Sequence, residues 1–296
     1  MRRWIQRNAD GPRLRNAKPG FVYDARHLLS HGDMTAGKLV WLESTQELAM
    51  RTAAAAVIAM FALAPGVGAQ ASGKGFLFHR PVGSFAFRGG YAVANASSDV
   101  FDDATTQLTL TKGDFSGFSW GGDISYSTGD RWDLLFDAEV ANSSKSSEFR
   151  NFIGTDNKPI EQTTKFERVP LTLGVKYYLT SRGRSVSEFA YVPTKFAPYV
   201  SVGAGAMYYD FEQKGDFVDF ASENLDIFNT TLESSGWAPM GRGAAGVEYS
   251  LGPWVALTGE GRYVWAKATL DPSAFEGYDK IDLNGFTGMV GFRVRF

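Results

Sequence analysis

The sequence predicts an all-β fold, an eight-stranded antiparallel up-and-down transmembrane β-barrel, and three observations predict it. No window holds the run of about 18 apolar residues that a membrane-spanning helix needs. From residue 84 onward, eight segments alternate in character with a period of two, each bounded by Gly, Pro, Asn, Asp or Ser clusters. The last segment, 286–296, puts Phe286, Gly288, Val290, Phe292, Val294 and Phe296 on one face and Thr287, Met289, Gly291, Arg293 and Arg295 on the other. Two arginines on one face and a terminal aromatic on the other suit a polar lumen inside a lipid-facing wall.

The elements follow in order. The first strand, 84–94, faces Phe85, Phe87, Tyr91 and Val93 outward and Arg88 inward. The second, 118–127, sets Phe118, Trp120, Ile124 and Tyr126 against Asp123. In the third, 131–141, Trp132, Leu134, Phe136, Ala138 and Val140 oppose Asp133, Asp137 and Glu139. Three carboxylates on one face of one strand do not face lipid. The fourth, 166–179, alternates Val169, Leu171, Leu173, Val175, Tyr177 and Leu179 with Arg168, Thr172, Lys176 and Tyr178. The fifth, 198–210, sets Val200, Val202, Ala204, Ala206 and Tyr208 against Ser201, Gly203, Gly205 and Met207. The sixth, 237–250, opposes Ala245, Val247 and Tyr249 to Arg242 and Glu248. The seventh, 254–267, opposes Val255, Leu257, Tyr263 and Trp265 to Thr258, Glu260 and Arg262.

Connection lengths orient the barrel, because short turns lie on the periplasmic side and long loops outside. Residues 128–130 and 251–253 are tight turns, whereas the gaps after strands one, three, five and seven are long. Segment 180–197 is the exception: a periplasmic connection that is long, read as an extended turn, with a cap over the periplasmic mouth as the functional alternative. Outward aromatics near strand ends (Trp120, Tyr126, Trp132, Tyr177, Tyr208, Trp237, Tyr249, Trp254, Trp265, Phe296) fit interfacial girdles. A soluble lipocalin-type barrel is the rival. It would carry apolar residues inward and show an N-terminal Gly-x-Trp signature, which is not found there.

Ahead of the barrel, Met50-Arg51, the apolar run Ala53 to Leu63 and Ala69-Gln70-Ala71 have the three parts of a secretory signal peptide. Residues 50–71 are therefore read as the signal, 1–49 as an upstream extension from a misplaced start, 72–83 as a periplasmic segment and 84–296 as the barrel. Beyond residue 71 the chain carries 21 basic and 27 acidic groups. No basic patch remains, so nucleic acid is not an expected partner. Cysteine is absent, which excludes disulfides and thiolate chemistry. With only His27, His31 and His79, heme or zinc held by histidine is not expected, nor is any other cofactor.

Several stretches carry a family resemblance. Phe87-Arg88-Gly89-Gly90-Tyr91, the run from Pro170 to Tyr178, the run from Pro198 to Gly205, Gly246-Val247-Glu248-Tyr249 and the Phe296 terminus resemble the small eight-stranded outer-membrane barrels. That superfamily includes the OmpA transmembrane domain, OmpX, OmpW and the outer-membrane β-barrel domain proteins. The resemblance covers 84–296. It implies export to the outer membrane of a Gram-negative-type bacterium, contact with lipid and lipopolysaccharide, and insertion by the barrel-assembly machinery through Phe292, Val294 and Phe296.

An eight-stranded barrel leaves an interior that side chains fill. The expected inward charges are Arg88, Asp123, Asp133, Asp137, Glu139, Arg168, Lys176, Arg242, Glu248, Glu260, Arg262, Arg293 and Arg295. Their near balance predicts a salt-bridged plug, because an unpaired charge in a narrow lumen is costly. A narrow charge-lined permeation path and a catalytic site are the other readings. A serine acyl hydrolase or an Asp/His protease needs a histidine near the outer leaflet, and His79 precedes strand one on the periplasmic side. Loop one carries Asp99, Asp102 and Asp103. Loop three, 212–236, carries Asp216, Asp219, Glu223, Asp226 and Glu233 among Phe217, Phe220 and Phe228. Both are read as solvated loops with an unknown ligand. Asp99, Asp102 and Asp103 lack the glycine and distal glutamate of a calcium loop. The expected role is non-enzymatic, in envelope structure or surface interaction. Transport of small or hydrophobic solutes is the alternative, and a lipid-modifying enzyme comes third.

Overall fold

A computed structural model describes residues 76–154, 157–219 and 226–296. The proposed upstream extension, the signal peptide, Glu223 and Phe220 lie outside the described residues. The barrel strands are β1 (Gly83–Ala94), β2 (Gly117–Ser127), β3 (Trp132–Ile153), β4 (Pro159–Tyr178), β7 (Phe196–Val218), β8 (Ile227–Ser250), β9 (Val255–Ala268) and β11 (Gly285–Arg295). A small hairpin, β5 (Gly183–Ser187) and β6 (Ala190–Pro193), interrupts the sequence between β4 and β7, and β10 (Ile281–Asp282) precedes β11. Each barrel strand pairs antiparallel with its chain neighbour in the barrel, and β11 returns to β1 from Ser84↔Arg295 to Ala94↔Gly285. That pairing closes the ring and removes the sheet edges.

Alternation holds at the level of the membrane. Leu173, Val202, Phe118 and Val290 stand on the wall with 60–71% of their surface exposed, the arrangement that places apolar side chains against lipid. The ladder between β3 and β4 has no registered pair at Pro170, where proline offers no N–H.

Four strands depart from the expected bounds. β3, β4, β7 and β8 run 22, 20, 23 and 24 residues, about twice what a tilted membrane strand needs. The gaps expected as solvated loops two and three are therefore mostly strand. Their apolar alternation was hidden because the pattern changes phase. On β4, Ile160 and Phe166 point inward while Glu161, Lys165 and Glu167 point out. Beyond Arg168 the outward positions are Val169, Leu171, Leu173 and Val175.

Loop one is also structured. It forms α1 (Asp99–Gln107) and a one-turn 3-10 helix (Lys112–Phe115). Phe101 of α1 is fully buried and meets Phe115, Phe166 and Phe211 with ring centroids 4.6, 5.3 and 5.6 Å apart. Residues 269–284 fold over the same core through Leu270, Phe275, Ile281 and Leu283. The result is an apolar cap inside the extracellular extension of the barrel.

Candidate functional site

The thirteen charged residues expected to face inward are all buried, none more than 9% exposed. Eleven join one continuous network at the level of the membrane. Arg88 reaches Asp123 at 2.7 Å and Asp137 at 2.9 Å. Arg262 bridges Asp137 at 2.9 Å, Glu139 at 2.8 Å and Glu260, while Arg242 takes Asp137 at 2.7 Å. Arg293 holds Asp123 and Glu248, each at 2.9 Å, and Arg295 meets Glu248 at 3.2 Å. Lys176 lies 3.7 Å from Glu248, 4.0 Å from Asp123 and 4.5 Å above the Tyr199 ring.

Strand register explains the convergence. Asp123 and Asp137 are directly paired across β2 and β3. Like charges so placed repel, and the guanidinium of Arg88 lies between them. Glycine makes the room: a Cβ at Gly291 would meet Arg88 Cγ at 2.8 Å, and one at Gly246 would meet the Tyr199 hydroxyl at 2.6 Å.

Two residues differ from the expected plug. Among the described residues Arg168 makes no ion pair; its guanidinium donates to the carbonyls of Leu283 and Asn284 at 3.4 and 3.5 Å and lies 5.1 Å over the Phe166 ring. It stands where the interior turns from charged to apolar, so carbonyl oxygens and an aromatic face are what it meets. Asp133 pairs not with a lumen charge but with Arg182 at 2.8 Å.

Arg182 belongs to segment 180–197, which is not an extended turn. It forms the β5–β6 hairpin, folded against the periplasmic mouth, with Tyr191 buried and exchanging two 2.8 Å backbone hydrogen bonds with Leu77. Sequence reasoning missed Arg182 because no periodicity places a loop residue. It also missed Tyr199, which donates to Glu260 at 2.8 Å, although its parity with Ser201 marks it as inward. Tyr178, which donates to Glu248 at 2.7 Å, was placed on the inward face.

Chemically, each carboxylate of the network faces at least one cation, which makes it a poor general base. His79 sits at the periplasmic end with its ring 5.9 Å from Phe189. Above the membrane, burial raises the pKa of Asp103, opposed by the Tyr278 hydroxyl donating to it at 3.0 Å. Asp210, outward on the extension of β7, is pushed up to about 7 by burial and by Glu233, Glu212 and Glu167, against Lys165. Among the described residues no group of three or more His, Cys, Asp or Glu is arranged to hold a metal ion.

The model of the outer membrane protein beta-barrel domain family matches residues 53–293. No curated protein matches the chain. Among solved structures, neisserial surface protein A is similar at 14% identity, covering 72% of this chain and 96% of that one, with a TM-score of 0.39. OprG of Pseudomonas aeruginosa is similar at 18%, covering 74% and 99%, with a TM-score of 0.38. The outer membrane protein W of E. coli is similar at 19%, covering 73% and 100%, with a TM-score of 0.30.

Proposed function

The chain belongs to the outer membrane protein beta-barrel domain family and resides in the bacterial outer membrane, and from that premise we propose that it is a sealed, non-catalytic barrel. It acts in envelope structure and in surface interaction through its extracellular head. The observation that carries this reading is the doubly closed interior. Charge pairs fill the lumen at membrane depth, and the apolar cluster around Phe101 fills the barrel above it. Extended strands and two folded loops then raise a folded surface outside the membrane, and a surface already ordered before it binds loses little entropy on binding.

The test is single-channel recording of the refolded chain in a planar bilayer, with Arg242→Ala and Glu260→Ala as lumen variants. A silent wild type that retains heat-modifiable mobility on an unboiled gel supports the sealed barrel. Reproducible openings that change with either variant overturn it in favour of transport of small or hydrophobic solutes. Loss of a lipid modification on deletion of the gene would favour an enzyme instead.

A further inference from the structure

The periplasmic end holds a second cluster of charge, which meets the lumen network at Arg295 and Glu248. A cleft between the β5–β6 hairpin, the segment ahead of β1 and the floor of the barrel is lined by Arg80, Arg182 and Arg295. Glu248 is the one carboxylate on its wall. It is already committed, to Arg293 at 2.9 Å, to the Tyr178 hydroxyl at 2.7 Å and to Arg295 at 3.2 Å. Three guanidinium groups thus border a space whose own acid is already paired, with Arg293 behind the wall and with Arg295 on it.

The three arginines are held to different degrees. Arg182 is fixed by Asp133 at 2.8 Å, the Gly129 carbonyl at 2.8 Å and the Ser127 hydroxyl at 2.9 Å. Arg295 is fixed by Glu248 and by the Ser250 hydroxyl at 2.9 Å. Among the described residues Arg80 hydrogen-bonds to the turn below, at Asp130 and the Gly129 carbonyl. The Asp130 side chain is 84% exposed, and a pair with an exposed carboxylate is worth little. Arg80 is therefore the least firmly held of the three. Tyr191 lies in the field of all three: burial raises its pKa while Arg182, Arg80 and Arg295 lower it.

We propose that this cleft is a periplasmic binding site for a small tetrahedral oxyanion, a phosphate group held between Arg80, Arg182 and Arg295. Guanidinium forks match phosphate oxygens in pairs, and their hydrogen bonds to an anion are about twice as strong as neutral ones. The phosphate reaches the cleft either as the free ion of the periplasm or as the headgroup of an inner-leaflet phospholipid.

The experiment uses the full chain refolded into nanodiscs at constant ionic strength. In phosphatidylcholine discs, inorganic phosphate is titrated by calorimetry; in a second arm, part of the lipid is replaced by phosphatidic acid and the arginine Nε–H signals are followed by NMR. Expected is saturable binding in one arm, weakened about tenfold by Arg80→Gln, partly restored by Arg80→Lys and unchanged by the extracellular variant Arg150→Gln. Response to free phosphate identifies the soluble ion, and response to phosphatidic acid alone identifies the headgroup. No binding in either arm, or binding indifferent to Arg80→Gln in a variant with normal gel mobility, overturns the proposal. Conductance plays no part in this readout, so it stands or falls apart from the sealed-barrel reading.

Discussion

Within the 20 residues of β4 two kinds of barrel meet. Below Arg168 the strand is a membrane strand, with Leu171, Leu173 and Val175 on the wall and Thr172 and Lys176 in the lumen. Above it the strand is built like one from a soluble barrel, with Ile160 and Phe166 inside and Glu161, Lys165 and Glu167 in water. β7 makes the same exchange between Ala206 and Tyr209, after which Phe211 and Phe217 point in and Asp210, Glu212 and Lys214 point out. The lesson is that the surrounding medium, rather than the strand, decides which face is apolar. Each half satisfies its interior with the opposite material: ion pairs where the wall faces lipid, stacked aromatics where the wall faces water.

The largest effect is expected in the charged half of the barrel. Arg262→Met leaves Asp137, Glu139 and Glu260 short of a shared partner, and losing one side of a buried pair costs about 4 kcal/mol. Urea unfolding in lipid vesicles would read this as a lower midpoint for the whole barrel; a loss under about 1 kcal/mol would mean that water or its neighbours replace the guanidinium. In the apolar half, Phe101→Ala opens a cavity beneath α1 and costs about 3 kcal/mol. That loss should stay local. Hydrogen exchange over α1 accelerates while gel mobility is unchanged, and global unfolding would show instead that the halves are one cooperative unit.

The boundary itself can be sharpened by one pair of variants. Leu173→Arg, on the lipid face, is expected to destabilise by about 2 kcal/mol, whereas Glu161→Arg on the extension of the same strand changes stability by under about 0.5 kcal/mol. Equal effects in the vesicle assay would move the membrane boundary. The smallest effect concerns pH. Asp210 has a folded pKa raised from 3.8 to about 7, so the folded state favours its proton. Its contribution is most favourable below the unfolded value and is lost as pH rises toward about 7. Protection of the outer ends of β7 and β8, taken relative to the intrinsic exchange rate at each pH, should fall between about pH 4 and about pH 7, and Asp210→Asn should flatten that slope.

Much of the lower half was legible in the sequence. Period-two alternation places every inward charge of the lumen, because lipid on one side and a narrow lumen on the other leave little freedom in which residue goes where. The upper half was harder to read. Once the apolar face moves inside, Phe149, Phe166 and Phe211 fall out of phase with the membrane pattern and look like stray aromatics in polar loops. A change of phase at Arg168–Val169 was nonetheless present as a signal. Loop one gave less: α1 is anchored by Val100, Phe101 and Ala104, whose partners come from β4, β7 and residues 269–284, and no local pattern announces contacts that distant. Arg182 gave none, since a side chain in an irregular segment carries no parity.

The seam between β1 and β11 has a consequence in time. Arg293 donates to Ser84 across 209 residues of chain and to Asp123 across 170. Contacts so remote in sequence form slowly, because the loop they close must first be ordered. The guanidinium of Arg293 thus belongs to β11, the barrel strand that lies farthest along the chain from β1. Until it arrives, Asp123 and Glu248 lack one of their cations, and the sheet keeps two open edges. Closure of the ring and completion of its charge network therefore depend on one and the same strand, β11.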